Sequence, residues 1–413
     1  MYVTHLVLAD WRNYESLEVE LAPGPTVLLG SNGQGKTNLV EALGYLATLG
    51  SHRVSSDQAL IRAGRDSAVV RARLQNGDRS VLAEVQLNRT GANRAQVNRV
   101  AVRPRELPRY FSSVLFAPED LALVRGEPAG RRRMLDELLV LRSPRMAAVL
   151  ADYDRALRQR NSLLKSARSQ GLREAQLGTL DVWDERLVAI GAQIIEARGR
   201  LVQELAPEVA AAYAQVAGAE HVVTLAAFMS IRSVNAGEPD CSDGPDDSPA
   251  VVRAALTAAE AAEEFARALT RARRAELDRG LTLSGPHRDD LLLMLNDMPA
   301  RSHASHGESW SLALALKLAA ARLLRRESSI GDPVLILDDV FAELDATRRD
   351  HLAEAVADFQ QVLITAAVPA DVPERLRGTT IRIRAGRLLD GDSVDGDSVD
   401  GGPAAESRGA GRR

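Results

Sequence analysis

Gly30-Ser31-Asn32-Gly33-Gln34-Gly35-Lys36-Thr37 is the stretch on which the reading of this chain turns. It satisfies the pattern G-x-x-x-x-G-K-[ST]. It also stands between an apolar run, Thr26 to Gly30, that reads as a strand and a run from Thr37 to about Thr48 that reads as a helix. The glycines let successive backbone N–H groups curl around phosphate oxygens, and the N-terminus of the following helix favours negative charge. Lys36 then reaches the outer phosphates, and the Thr37 hydroxyl is a ligand for Mg²⁺. A nucleotide site built from Gly30, Ser31, Asn32, Gly33, Gln34, Gly35, Lys36 and Thr37 follows, with ATP and Mg²⁺ as cofactors. A plain glycine-rich turn is the weaker reading, because a chance match seldom falls between a strand and a helix.

A second segment answers the first. Val334-Leu335-Ile336-Leu337-Asp338-Asp339 reads as a buried strand ending in two carboxylates. Asp338 is placed to hold the Mg²⁺ shell, and Asp339, on the other side of the pleat or just past it, to polarise an attacking water. Strands often end in Asp, so this signal gains its weight from the phosphate loop. Lys36 and Asp338 are 302 residues apart in the chain, so two distant segments must close one site.

The composition bounds the rest. A chain of 413 residues with 45% apolar content can fill two or three domains, which excludes a disordered or disulfide-stapled scaffold for most of it. A single cysteine, Cys241, cannot pair internally and fits a reducing compartment, so the expected location is cytoplasmic. The start, Met1 to Arg12, lacks the pattern of a signal peptide, and no run of about 18 uncharged apolar residues suggests a membrane. The net charge of −4 is uneven. Residues 235–250 carry five acids and no Lys or Arg, and residues 385–413 carry a net −2, which leaves a mildly basic +3 for the remainder. That balance permits nucleic-acid binding without arguing for it. Only three of the 52 basic residues are Lys, so 49 are Arg, a bias suited to phosphate where it clusters. The 4% aromatic content argues against an extended base-stacking platform for single strands.

Short alternations predict strands at Tyr2–Ala9, Leu17–Leu21, Val69–Leu74, Val81–Leu87, Arg94–Val100 and Ser113–Phe116, a sheet-rich first lobe over residues 1–130. From Arg131 to Val216 the period becomes helical. Trp183, Leu187, Ile190, Ile194, Ala197 and Leu201 form a seam at spacings of four and three, faced by Met146, Val149, Tyr153, Ala156 or Leu157, and Leu164. This is either a short protruding arm or an ordinary helical subdomain, over residues 131–280. Within it, residues 235–250 read as a disordered acidic loop. A second lobe, residues 281–384, is expected to hold strands at Leu281–Ser284, Asp290–Leu295, Pro333–Leu337, Gln361–Thr365 and Thr379–Arg384 and a helix at Glu308–Arg325. Residues 385–413 repeat Gly-Asp-Ser-Val-Asp and read as a disordered tail. The fold class is α/β.

The split site resembles ATPases of the ABC and SMC type. Ser305-His306-Gly307-Glu308 is similar to the ABC signature, with Glu308 where Gln is usual, and is equally a helix cap with Glu three residues after Ser. Ala342-Glu343-Leu344-Asp345 is similar to the D-loop, and Thr365 stands at the switch position where many ABC proteins have His. A more specific resemblance joins these segments. Pro118-Glu119-Asp120-Leu121 through Pro128 to Arg132-Arg133-Met134-Leu135-Asp136 resembles the P-E-D-L…G-x-P-x-x-R-R-x-[FY]-L-D signature of the RecF family of bacterial recombination mediators, departing at Glu127 and Met134. Trp11-Arg12-Asn13-Tyr14, Ser284-Gly285-Pro286-His287-Arg288-Asp289-Asp290 and Leu337 to Asp345 resemble three further segments of that family, in order, over about residues 1–384. The resemblance implies an SMC-like ATPase head with an inserted helical arm. It implies an ATP-dependent homodimer in which Ser305 and Gly307 close on phosphates held by the other subunit. Binding to DNA at gaps or single/double-strand junctions, action with RecR and RecO to load RecA, a part in the SOS response, and slow hydrolysis of ATP are implied with it.

Other residues carry two readings each. Arg12 either contacts nucleotide or is a surface Arg. His287 either orients water or holds a turn, and Arg131-Arg132-Arg133 either grips phosphate or solvates a helix face. Two other functions compete: a transporter motor, which would lack the Pro118–Asp136 segment and the helical insertion, and a clamp that binds ATP without turning it over.

Overall fold

The computed structural model describes residues 1–171, 178–218, 221–233, 251–252, 254–328 and 330–389. Cys241, the acidic loop 235–250 and residues 390–413 lie outside the described residues.

Three sheets organise the described residues. The first, in the order β2-β1-β4-β5-β6-β7, is antiparallel and built from β1 (Tyr2–Trp11), β2 (Tyr14–Glu20), β4 (Ser67–Asn76), β5 (Arg79–Asn88), β6 (Arg94–Val97) and β7 (Val100–Val102). The expected single strand Arg94–Val100 is instead a tight hairpin. Asn98 and Arg99 adopt φ of 51° and 67°, the left-handed pair that a two-residue turn demands and that Asn tolerates.

The second sheet runs β16-β15-β3-β14-β13-β8, from β3 (Gly24–Leu29), β8 (Ser113–Phe116), β13 (Val334–Asp338), β14 (Gln361–Ala366), β15 (Thr379–Arg384) and β16 (Arg387–Leu389). Five strands are parallel, with β16 antiparallel at the edge. Both faces are covered, so its strands read as continuous apolar runs. Leu335, Leu337, Val362 and Ile364 enter one core, while Val334, Ile336 and Leu363 enter the other, alternating as the pleat requires. The second of these cores is filled by α1 (Lys36–Thr48) and the first sheet. The first is filled by α8 (His306–Glu327), whose run of Leu and Ala is buried from Ser309 to Ala321 apart from Lys317. Residues 385–389, expected to begin the disordered tail, form the turn into β16, because Arg387–Leu389 finds a partner in β15.

The third sheet, β10-β9-β11-β12, pairs β9 (Val223–Phe228), β10 (Val251–Val252), β11 (Asp290–Leu295) and β12 (Met298–Pro299). The expected strand Leu281–Ser284 is absent. That segment is buried, but its amides bond to side chains rather than to a ladder: Thr282 N–H to Asn161 Oδ1 at 2.8 Å and Leu283 N–H to Glu276 Oε1 at 2.9 Å.

The other helices are α2 (Leu121–Arg125), α3 (Pro128–Arg142), α4 (Met146–Gln170), α5 (Gly178–Ala217), α6 (Ala258–Arg279), α7 (Ala300–His303) and α9 (Ala346–Val356). Leu187, Ile194 and Leu201 of the seam are buried and Trp183, Ile190 and Ala197 half-buried, against α4 and also α6. The seam therefore belongs to a three-helix packing rather than a two-helix coil. Gly191 allows it, since a Cβ there would lie 2.7 Å from Phe265 and 3.0 Å from Tyr153.

Candidate functional site

The parallel strands place the site at their carboxyl ends, where open α/β sheets bind ligands. Register sets Asp338 beside Thr365 and Thr365 beside Leu28, so the loop after β3, the tip of β14 and the tip of β13 come together. Thr365 Oγ1 donates to Asp338 Oδ1 at 2.7 Å and accepts the Asp339 N–H at 2.9 Å, and Thr37 Oγ1 donates to the same Asp338 oxygen at 3.0 Å. Two segments 301 residues apart thus meet through one carboxylate. Burial pushes Asp338 up to about 6, with the neighbouring Asp339 charge adding to the rise and the two hydroxyls opposing it. Asp339 lies just past the strand in left-handed backbone, φ 51°.

Lys36 is buried, with Nζ 2.7 Å from Gly30 O, 3.3 Å from Ser31 O and 3.5 Å from Asn32 Oδ1. Gly35 caps α1 at φ 113°, and a Cβ there would collide with Asn13 and Tyr14 at 2.7 and 2.8 Å. The loop is braced from outside. Tyr14 OH donates to Gly35 O at 2.9 Å, Trp11 Nε1 donates to Asn38 O at 2.8 Å, and the Ala385 and Gly386 N–H groups donate to Gln34 Oε1 and O at 2.6 and 3.0 Å. The aromatic ends of Trp11-Arg12-Asn13-Tyr14 were the available signal for these braces, while the turn at 385–386 had none. Glu119 is a further omission. β8 pairs with β13, and the charge of Glu119, three residues past its end, is among those raising Asp338. A Pro-Glu-Asp directly after a buried strand is a signal that could have found it.

Hard oxygen donors from a hydroxyl and a buried, destabilised carboxylate suit Mg²⁺, so Thr37 and Asp338 fit the ion, with the loop amides and Lys36 fitting phosphates.

Arg12 sits in a different environment. Its guanidinium binds both oxygens of the buried Glu41 at 2.8 and 2.6 Å and Ala59 O at 3.1 Å. Burial alone would raise Glu41, but hydrogen bonds from Arg12 and Ser51 outweigh it and hold the carboxyl low. Arg12→Ala would leave that carboxylate with Ser51 and the more distant Arg53, 3.9 Å away, and we expect a loss of about 2 kcal/mol in denaturant unfolding. A change under about 0.5 kcal/mol would contradict this account of Arg12.

Ser305 and Gly307 lie at the N-terminus of α8. Ser305 is exposed and caps α8 with Glu308 in a reciprocal box, Glu308 N–H to Ser305 Oγ at 3.3 Å and Ser305 N–H to Glu308 Oε2 at 2.7 Å. Gly307 packs on Arg348 of α9.

The three consecutive arginines separate in role. Arg131 is buried and bound to both oxygens of Asp290 at 2.7 Å, so it neither grips phosphate nor solvates a face. Arg133 bonds Glu137 and Ser51 O, and Arg132 bonds Asp289 O at 2.7 Å. His287 holds its turn. Its Nδ1 takes the Tyr153 OH at 2.8 Å and its Nε2 lies 3.3 Å from Thr282 O. Burial drives His287 down to about 3 and His52 to about 4. Both stay neutral in the fold and charge in the unfolded chain, so their contribution is complete above about pH 6.5 and is lost as pH falls below it. Asp289, raised by burial to about 6, works the other way and gains the fold stability as pH falls through 6. His52→Gln should remove about 2 kcal/mol of acid lability between pH 7 and 5, read from urea midpoints at each pH. Parallel wild-type and variant profiles would contradict it.

The family described as the RecF/RecN/SMC N terminal domain matches residues 2–379. The chain is 63% identical over 392 residues to the DNA replication and repair protein RecF of Clavibacter michiganensis subsp. michiganensis, covering 94% of this chain and 96% of that one. It is 60% identical to the protein of the same name from Leifsonia xyli subsp. xyli, covering 94% and 100%. Among solved structures it resembles the recombination mediator protein RecF-ATPrS in the RecFOR pathway, at TM-score 0.81 and 26% identity over 94% of this chain and 97% of that one. The RecF-ATP structure gives 0.79 at the same identity, over 94% and 98%. The braced phosphate loop, the acidic strand that answers it and these likenesses agree on one conclusion: the chain belongs to the RecF family.

Proposed function

We propose that this protein binds ATP with Mg²⁺, dimerises around it, and in that state binds DNA at gaps or single/double-strand junctions during replication repair, with slow hydrolysis releasing it. Action with RecR and RecO in support of RecA loading and the SOS response belongs to the same reading, as does a cytoplasmic location. No helix among the described residues is long and apolar enough to cross a membrane. The observation that carries the proposal is the bond from Thr37 to Asp338, which turns two remote motifs into one site. The names of the relatives, and the ATP-bound state of the solved structures that this chain resembles, support it.

Held by Thr37 and Asp338, Mg²⁺ would supply positive charge that offsets the charge of the phosphates. The chain's own contribution is electrostatic and positional. Lys36 and the amides leading into α1 hold phosphate charge, and Thr37 with Asp338 orients the ion. Thr365 ties the Asp338 carboxylate to the Asp339 backbone, which fixes where Asp339 can hold a water. Ser305 and Gly307 serve the site of the second copy.

Asp339 has a shorter reach than a Glu, so turnover is expected below about 1 s⁻¹, under the usual range of enzymes. Multiple-turnover phosphate release with gapped DNA tests this, with Asp339→Asn lowering the rate at least ~100-fold. Equal and negligible release from wild type and variant would favour a clamp in which ATP is only a ligand. A wild-type rate of tens per second would contradict the slow-turnover expectation.

A further inference from the structure

We propose that Arg348 is a positioning residue that locks the signature-like turn Ser305–Glu308 to the acidic turn Ala342–Asp345, so that both meet a nucleotide held by a second copy as one rigid piece. The inference rests on the ATP-dependent dimer proposed above.

Three observations converge on this side chain. Asp345 caps α9: its Oδ1 accepts the Arg348 N–H at 2.9 Å and its Oδ2 accepts Arg348 NH1 at 2.7 Å. The same guanidinium lies against Gly307, where a Cβ would stand 2.8 Å from NH1 and 3.0 Å from NH2. Gly307 has no left-handed backbone to explain it, and glycine in a helix costs about 1 kcal/mol. Contact with Arg348 is a sufficient reason for its presence. Finally, Arg348 Nε is buried without a hydrogen-bond partner. A stranded donor costs about 1–3 kcal/mol, so the guanidinium is held where it is by its contacts on either side rather than by its own satisfaction.

The lock also accounts for Glu308. A carboxylate at that place would repel phosphate, yet the Ser305 N–H bonds it at 2.7 Å and the Arg348 charge helps hold it low. Arg348 therefore lies between an acid on the signature-like turn and an acid on the D-loop-like turn. Arg348 bonds Asp345 and packs on Gly307, while Lys36 bonds Gly30, Ser31 and Asn32, so the two sets of partners share no residue. Removing Arg348 should leave the chain's own phosphate loop untouched.

The test separates these effects with R348A, R348K and G307A. ATP affinity, measured at protein concentrations where the chain is monomeric, should stay within about twofold of wild type in R348A. ATP-dependent dimerisation followed by light scattering should weaken at least ~10-fold, the loss of one charge-assisted contact pair. R348K, which keeps the charge but not the planar fork, should fall between. G307A displaces the guanidinium, so adding R348A to G307A should make dimerisation no worse than G307A alone. Without nucleotide, amide exchange at residues 305–309 of the monomer should rise at least ~10-fold in R348A. Wild type that stays monomeric with ATP would overturn the dimer reading. Unchanged exchange at 305–309 in R348A would overturn the lock itself, whatever the dimer does.

Discussion

Lys36→Ala is expected to weaken ATP binding at least ~100-fold, about 3 kcal/mol, and to abolish the ATP-dependent part of DNA binding while leaving the fold intact. The ammonium is buried, and it is met by the carbonyls of Gly30 and Ser31 rather than by a carboxylate. Deleting it therefore strands no charge. The protein loses a cation aimed at phosphate and keeps its thermal midpoint. Isothermal titration with ATP, alongside a melting curve, checks both halves. Affinity within threefold of wild type would remove Lys36 from the site, and a collapsed melting curve would show that its role is structural.

The largest effect on stability is expected outside that site, at Arg160. Its side chain is fully buried between α4, α5 and α6, with Nε on Asp184 at 2.6 Å, NH1 on Thr282 at 2.8 Å and NH2 on Glu276 at 2.6 Å. Glu276 is itself fully buried and also accepts the Leu283 N–H at 2.9 Å. Arg160→Leu leaves that carboxylate without a counter-ion, which should cost about 3–5 kcal/mol. Adding Glu276→Leu should restore much of the loss, because no buried charge then remains unpaired. Urea unfolding of the three proteins measures this. A loss under about 1 kcal/mol in the single variant would mean that water reaches the pair.

The sequence was most legible where chemistry and secondary structure shared a motif. The loop Gly30–Thr37 and the strand ending in Asp338 were each visible alone, and their meeting followed from what a Mg²⁺–phosphate site needs. The central parallel strands were legible too, because burial on both faces writes an unbroken apolar run such as Val334–Leu337. Less legible were features whose reason lies across the chain. Leu281–Ser284 is as apolar as a strand, but Asn161 and Glu276, from other helices, take its amides. Arg131 looked like part of a basic patch because its partner Asp290 is 159 residues away. Arg12, read as a possible nucleotide contact, gains a buried acid from α1 that no local pattern announces. The turn at Ala385–Gly386 reaches the phosphate loop through backbone amides alone, which carry no residue-type signature.

The most direct test of the central claim is the affinity for a gapped duplex across a salt series, with ATP and with ADP, while light scattering follows the mass of the protein. The account predicts that ATP raises both dimer mass and DNA affinity, and that ADP raises neither. DNA binding that is absent, or indifferent to which nucleotide is present, would leave the phosphate site standing and contradict the ATP-gated assembly built on it.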